Sequence, residues 1–257
     1  MTRALTRTNF HSSKLIRVLS DLAVVDAVEP GTAFAEKLGL WLNLHDAITL
    51  CAVLNESTAG QPPTQLGVKS VASVALGKEF ARIRASLVDS ITKSATPNLG
   101  KSRLELPMPK PGVSLEDATD YEPYRRYYSA HQRDMDSSVR PLRFKVREVL
   151  AKASPALRQL AALDATFDAI LCDRESKLLS KIPLLLERRF AQLLKAHQQV
   201  LVDTQQVDDP ALWMKAGAWL ARFCHELQTA LVAELDVRLQ PTVGLMEAIN
   251  HEMTKHK

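Results

Sequence analysis

The chain's four tyrosines all fall within eight positions, Tyr121, Tyr124, Tyr127 and Tyr128, in the run Tyr-Glu-Pro-Tyr-Arg-Arg-Tyr-Tyr-Ser-Ala-His-Gln-Arg. Rings beside cations are what surfaces use to stack bases, hold phosphorylated ligands or anchor partner helices. On a helix Tyr121, Tyr124 and Tyr128 share one face, followed by His131 or Gln132 and then Met135, while Tyr127 pairs with His131 one turn on. One reading is an aromatic patch flanked by Arg125, Arg126 and Arg133. The other is a packing seam, in which each hydroxyl finds water or a carbonyl. Burying such a ring is worth about 2 kcal/mol, reason enough for it to exist. The seam leads, and it leaves Tyr127, His131 and Arg126 as the set expected to face away and meet a partner. Trp213 and Trp219 are six apart and cannot share a helical face, so at least one should lie at the edge of the Leu220–Phe223–Leu227 stripe, where an exposed indole can anchor a partner. Trp41 is expected in the core of an N-terminal module.

A second group is basic. Arg140, Arg143, Lys145, Arg147 and Lys152 face a single acid, Glu148, and Arg140, Arg143 and Arg147 lie on one helical face. Such a row can meet phosphates, which makes nucleic-acid binding through Arg140–Lys152 the alternative function. Long helices also carry such runs as solvated or ion-paired faces. Asp164, Asp168, Asp173 and Glu175 could neutralise this one if the chain folds back as a hairpin.

Enzymatic patterns fail on inspection. His225-Glu226-Leu-Gln-Thr229 begins like a zinc-protease helix, but Thr229 stands where the second ligand must be. Gly67-Val-Lys69-Ser70 lacks the glycine spacing of a phosphate loop. Cys224 and His225 are adjacent, so their side chains diverge by about 100° around a helix. No Cys/His cluster has metal spacing. No catalytic, cofactor-binding or metal-binding residue is expected.

The elements that must position these residues are helical. Leu and Ala dominate, and only nine glycines and 5% aromatics occur among 257 residues. A net charge of +4 and a pI near 9.0 are mild beside the dense basic footprint of a dedicated nucleic-acid binder. Cys51, Cys172 and Cys224 are far apart and odd in number, which suits reduced thiols in the cytoplasm. Arg17, Asp21 and Asp26 interrupt any signal-peptide core. The most apolar window, residues 38–44, is far short of the ~20 residues a bilayer needs, so no membrane insertion is expected.

Along the chain, Ser12 and Ser13 are placed to cap a helix that Glu29-Pro30-Gly31 stops, and Thr32 can cap the next, which runs to about Asn55. Residues 56–70 read as a loop, and a helix follows at about 72–93. Residues 94–118 hold Pro97, Pro107, Pro109 and Pro111 and read as an exposed linker. Beyond it, Pro141 starts or kinks a helix, and Ser154-Pro155 is a cap with a first-turn proline. Pro183 either starts a new helix or kinks one rod from 155 to 202. Asp208-Asp209-Pro210 should open the last helix, which Pro241 and Gly244 should end. The expected organisation is an all-α fold: an N-terminal helical module over 12–93, the linker 94–118, an elongated bundle or coiled-coil-like hairpin over 119–240, and a tail from 241 to 257.

Several segments carry a resemblance. They are Phe34-Ala-Glu-Lys-Leu-Gly-Leu-Trp-Leu-Asn-Leu-His-Asp-Ala-Ile48, Glu79-Phe-Ala-Arg-Ile-Arg84, Tyr124-Arg-Arg-Tyr-Tyr-Ser-Ala-His-Gln-Arg-Asp-Met135, and Ser154-Pro-Ala-Leu-Arg-Gln-Leu-Ala-Ala-Leu-Asp164, with Arg174-Glu175 and Arg188-Arg-Phe190 after it. Together they resemble, over about residues 12–200, a proteobacterial family of helical proteins classed only as a domain of unknown function. The resemblance implies no activity, cofactor or catalytic residue. Through the envelope-protein genes that accompany the family, it implies a cytoplasmic accessory subunit of an envelope-associated assembly. Residues and resemblance agree on a non-enzymatic interaction or scaffold protein that binds other helical proteins or itself. Stripes of this length cannot all be satisfied within thin hairpins, so a homo-oligomer is expected.

Overall fold

The computed structural model describes residues 13–22, 39–55, 66–93, 104–109 and 119–255. Among them the fold is all-α, without a strand. The helices described are α1 (Lys14–Asp21), α2 (Leu44–Asn55), α3 (Leu66–Lys93), α4 (Glu122–Ala153), α5 (Pro155–Leu179), α6 (Ile182–Thr204) and α7 (Trp219–Lys255), with a 3₁₀ turn at Pro210–Leu212. The expected stop at Glu29-Pro30-Gly31, the Thr32 cap, and residues 56–65, 94–103 and 110–118 lie outside the described residues.

Local chemistry explains most boundaries. The Leu157 amide donates to Ser154 Oγ at 3.3 Å, so α5 begins on its expected cap. Ser13 occupies the cap position of α1, but its hydroxyl makes no capping bond. Asn43 and Asp46 cap α2 reciprocally: the Asp46 amide donates to Asn43 Oδ1 at 2.8 Å, and the Asn43 amide to Asp46 Oδ2 at 3.0 Å. The possible rod from 155 to 202 is broken, since α5 ends at Leu179 and α6 starts at Ile182, with Pro183 in its first turn. At the other end of α6, Gln205 closes the helix in the left-handed region, at φ 53°. A side chain there carries a steric cost that glycine avoids. Gln205→Gly is expected to raise stability by about 0.5 kcal/mol, seen as a higher urea midpoint; an unchanged or lower midpoint would contradict it.

Three expectations are corrected. Helix α3 starts at Leu66, so residues 66–70 are helix rather than loop; a glycine such as Gly67 is tolerated where the first-turn amides lack partners anyway. Helix α7 passes through Pro241, where an end was expected, and α4 runs through Pro141, which excludes a helix start there, one of the two readings that proline allowed. A proline inside a helix costs about 3 kcal/mol, and continued burial offsets it. Val139, Leu142 and Val146 carry the α4 stripe past Pro141, and Leu239, Thr242, Leu245 and Ile249 do so for α7, all buried. Finally, Asp208-Asp209-Pro210 opens only the 3₁₀ turn. Asp209 Oδ1 accepts the Ala211 amide at 3.0 Å, and the last helix waits until Trp219. Gly217, at φ 84°, supplies the left-handed residue this connection needs.

The described residues pack as two compact units: those within 1–34, 90–132 and 180–237 form unit one, and those within 35–89, 133–179 and 238–257 form unit two. Both take residues from before and after the segment 94–118. Within that segment, Leu106 is buried rather than exposed. Unit one has an aromatic core around Tyr124, Phe190 and Phe223. The core of unit two is aliphatic: Leu76, Val146, Leu150, Leu157, Leu245 and Ile249.

Candidate functional site

The tyrosine run is where α4 enters unit one, and all four rings are buried. Tyr121 and Tyr124 pack on Phe190 and Phe223 with centroids 5.5–6.2 Å apart. Burial pushes both phenols well above the usual tyrosine range. Tyr121 Oη donates to the Pro183 carbonyl at 2.6 Å, and Tyr128 Oη to Glu234 Oε2 at 2.9 Å. The seam reading therefore holds, and extends further than expected. Tyr127 is 4% exposed and His131 1%, so this pair does not face away from the packing. A second neighbour, the end of α3, takes that side of the helix. The Ile91 carbonyl, in the last turn of α3 where no helical amide follows, accepts Tyr127 Oη at 3.4 Å and Gln228 Nε2 at 2.7 Å. Of the expected patch only Arg126 is exposed, and it pairs with Glu122 at 2.9 Å. Hydrogen bonds from Arg125 and Arg126 hold the Glu122 carboxyl down to about 2.

Glu234 is the residue that sequence reasoning missed. It is fully buried and receives Gln132 Nε2 at 3.0 Å on both oxygens besides the Tyr128 hydroxyl. Its signal was an acid on a stripe otherwise made of Leu227, Leu231 and Leu235.

The tryptophans also turn inward, Trp213 at 1% and Trp219 at 7% exposure. Because the chain between Asp208 and Trp219 is a connection rather than helix, six-residue spacing no longer sets their directions. Trp213 Nε1 donates to Asp208 Oδ1 at 2.7 Å, and His197 Nε2 lies 2.9 Å from the same oxygen. A carboxylate only accepts, so His197 must carry its proton on Nε2. Its ring stacks on Trp219 at 5.8 Å, and the two indoles meet edge-on at 5.1 Å. This is a clasp that fixes the connection and buries both of its indoles.

The basic row is largely spent. Arg143 donates to Asp164 at 2.7 and 2.9 Å and to Asp168 at 2.9 Å; Arg147 reaches the same carboxylates at 2.6 and 2.8 Å. The α4–α5 hairpin thus brings the neutralising acids onto the arginines. Arg140 remains mostly exposed, 3.7 Å from Asp136. Lys145 pairs with Glu79. The row presents little uncompensated charge to a phosphate backbone.

Among the described residues no group of His, Cys, Asp or Glu could hold a metal, and no helix is long and apolar enough to cross a membrane. In the truncated zinc-like motif, burial of Glu226 opposes its charge. The hydrogen bonds from Arg189 and Arg222 together outweigh that and hold its carboxyl below the usual range. Cys224 is buried, and its thiol is pushed up to about 12. Cys51 is exposed. In a thiol titration at pH 8, Cys51 is expected to react quickly and Cys224 only on unfolding; fast reaction of Cys224 in the native chain would contradict this.

Among the described residues, one apolar stripe left open lies on α2. Leu44 is 78% exposed and Ile48 59%, with exposed Cys51 next on the same stripe, while Leu50 alone is buried. A helix normally turns such a stripe into the core. Here α2 is fixed at both ends, by its Asn43–Asp46 cap and by Gln159 Nε2, which donates to the Leu54 carbonyl at 2.8 Å. Trp213 and Trp219, expected to contribute to an exposed apolar stripe, are buried, while Leu44 and Ile48 are exposed. Beside it, α2 and α5 enclose an open groove of about 630 Å³, lined by Trp41, His45, Thr49, Ala169, Ile170 and Arg174 among others. Trp41, expected in a core, is 40% exposed on this groove.

No curated protein and no solved structure matches the chain. A family of proteins of unknown function, DUF3348, does match, over residues 1–251. Nearly the whole chain, including the tyrosine seam, the arginine–aspartate hairpin and the exposed face of α2, therefore falls within this match, and the protein belongs to the DUF3348 family.

Proposed function

We propose that the protein is a non-enzymatic helical interaction protein that docks an apolar helix, of a partner or of a second copy, on the outward face of α2. The exposed Leu44–Ile48 stripe carries this reading. Helix-in-groove recognition uses apolar anchors at such four-residue steps, and burying two of them contributes about 3 kcal/mol or more. The ionisable side chains support it from the other side, because Arg143, Arg147 and Arg189 are tied to Asp164 and Glu226 in ion pairs. The family resemblance adds a setting: a cytoplasmic accessory subunit of an envelope-associated assembly.

The test is a pull-down from the native host with the wild-type chain and with Leu44→Glu/Ile48→Glu, alongside light scattering of both. The double variant should keep its helical circular-dichroism spectrum and lose partner capture or self-association by roughly 100-fold in affinity. An unchanged set of partners and an unchanged mass would overturn the assignment to α2.

A further inference from the structure

No further inference is drawn: the strongest candidate, the groove between α2 and α5 with the exposed apolar face beside it, belongs to the surface already proposed for partner binding, and nothing in the structure shows what covers it.

Discussion

Phe190→Ala should destabilise unit one by about 4 kcal/mol. Phe190 is 3% exposed and touches four rings: Tyr121 at 5.6 Å, Tyr124 at 5.5 Å, Trp219 at 5.3 Å and Phe223 at 5.0 Å. Truncation removes the transfer energy of the ring and leaves a cavity. The neighbours are poorly able to collapse into it, because Tyr121 is tethered by its hydroxyl to the Pro183 carbonyl. Edge-to-face pairs add about 0.5–1.5 kcal/mol each beyond area burial, so several partial losses accumulate. Phe190→Leu keeps most of the volume and should cost about half as much. Val200→Ala, on the same helix but 55% exposed, should stay within about 0.5 kcal/mol. The measurement is urea unfolding in a Trp41→Phe background, where the remaining tryptophans, Trp213 and Trp219, report unit one. A loss below 1 kcal/mol for the alanine variant would show that the ring cluster does not organise this core.

The tyrosine seam was legible because it rests on period alone: Tyr121, Tyr124, Tyr128 and Met135 fall on one side of any helix, and all are buried. The fate of Tyr127 and His131 was not, since it depends on the end of α3 arriving from more than thirty residues away to occupy the second face. The same distinction separates the prolines. Ser154-Pro155 and Ile182-Pro183 sit where the helix is starting anyway, and local chemistry decides. Pro141 and Pro241 are flanked by uninterrupted apolar stripes, and tertiary burial overrides the local break. Trp213 and Trp219 were misplaced for a related reason. Helical geometry was carried through Asp208–Gly217, where Gly217 and the Asp208 clasp give the chain a different path. The open face of α2 was invisible, because an apolar stripe reads the same whether or not a neighbour covers it.

Asp164→Ala is the second large effect, a loss of about 3 kcal/mol from unit two. The side chains of Arg143 and Arg147 are each 14% exposed, and that of Asp164 13%. That single carboxylate takes both nitrogens of an Arg143 fork and the Nε of Arg147. Removing it leaves two largely desolvated cations sharing Asp168, which is 33% exposed and already bonded to both. Breaking a fully buried pair costs about 3–5 kcal/mol; the residual exposure here lets water recover part of that. Asp168→Ala should therefore cost less than Asp164→Ala, although both acids contact the same two arginines. Adding Arg147→Met to Asp164→Ala should return part of the loss, since one stranded charge is removed with its partner. The experiment is a double-mutant cycle by urea unfolding, followed by circular dichroism at low and at high salt. If Asp164→Ala alone falls within 0.5 kcal/mol of wild type, or if the Arg147→Met addition makes matters worse by its full single-mutant cost, the four charges do not act as one unit. The hairpin would then be held by the Val146–Leu150–Leu157 packing alone.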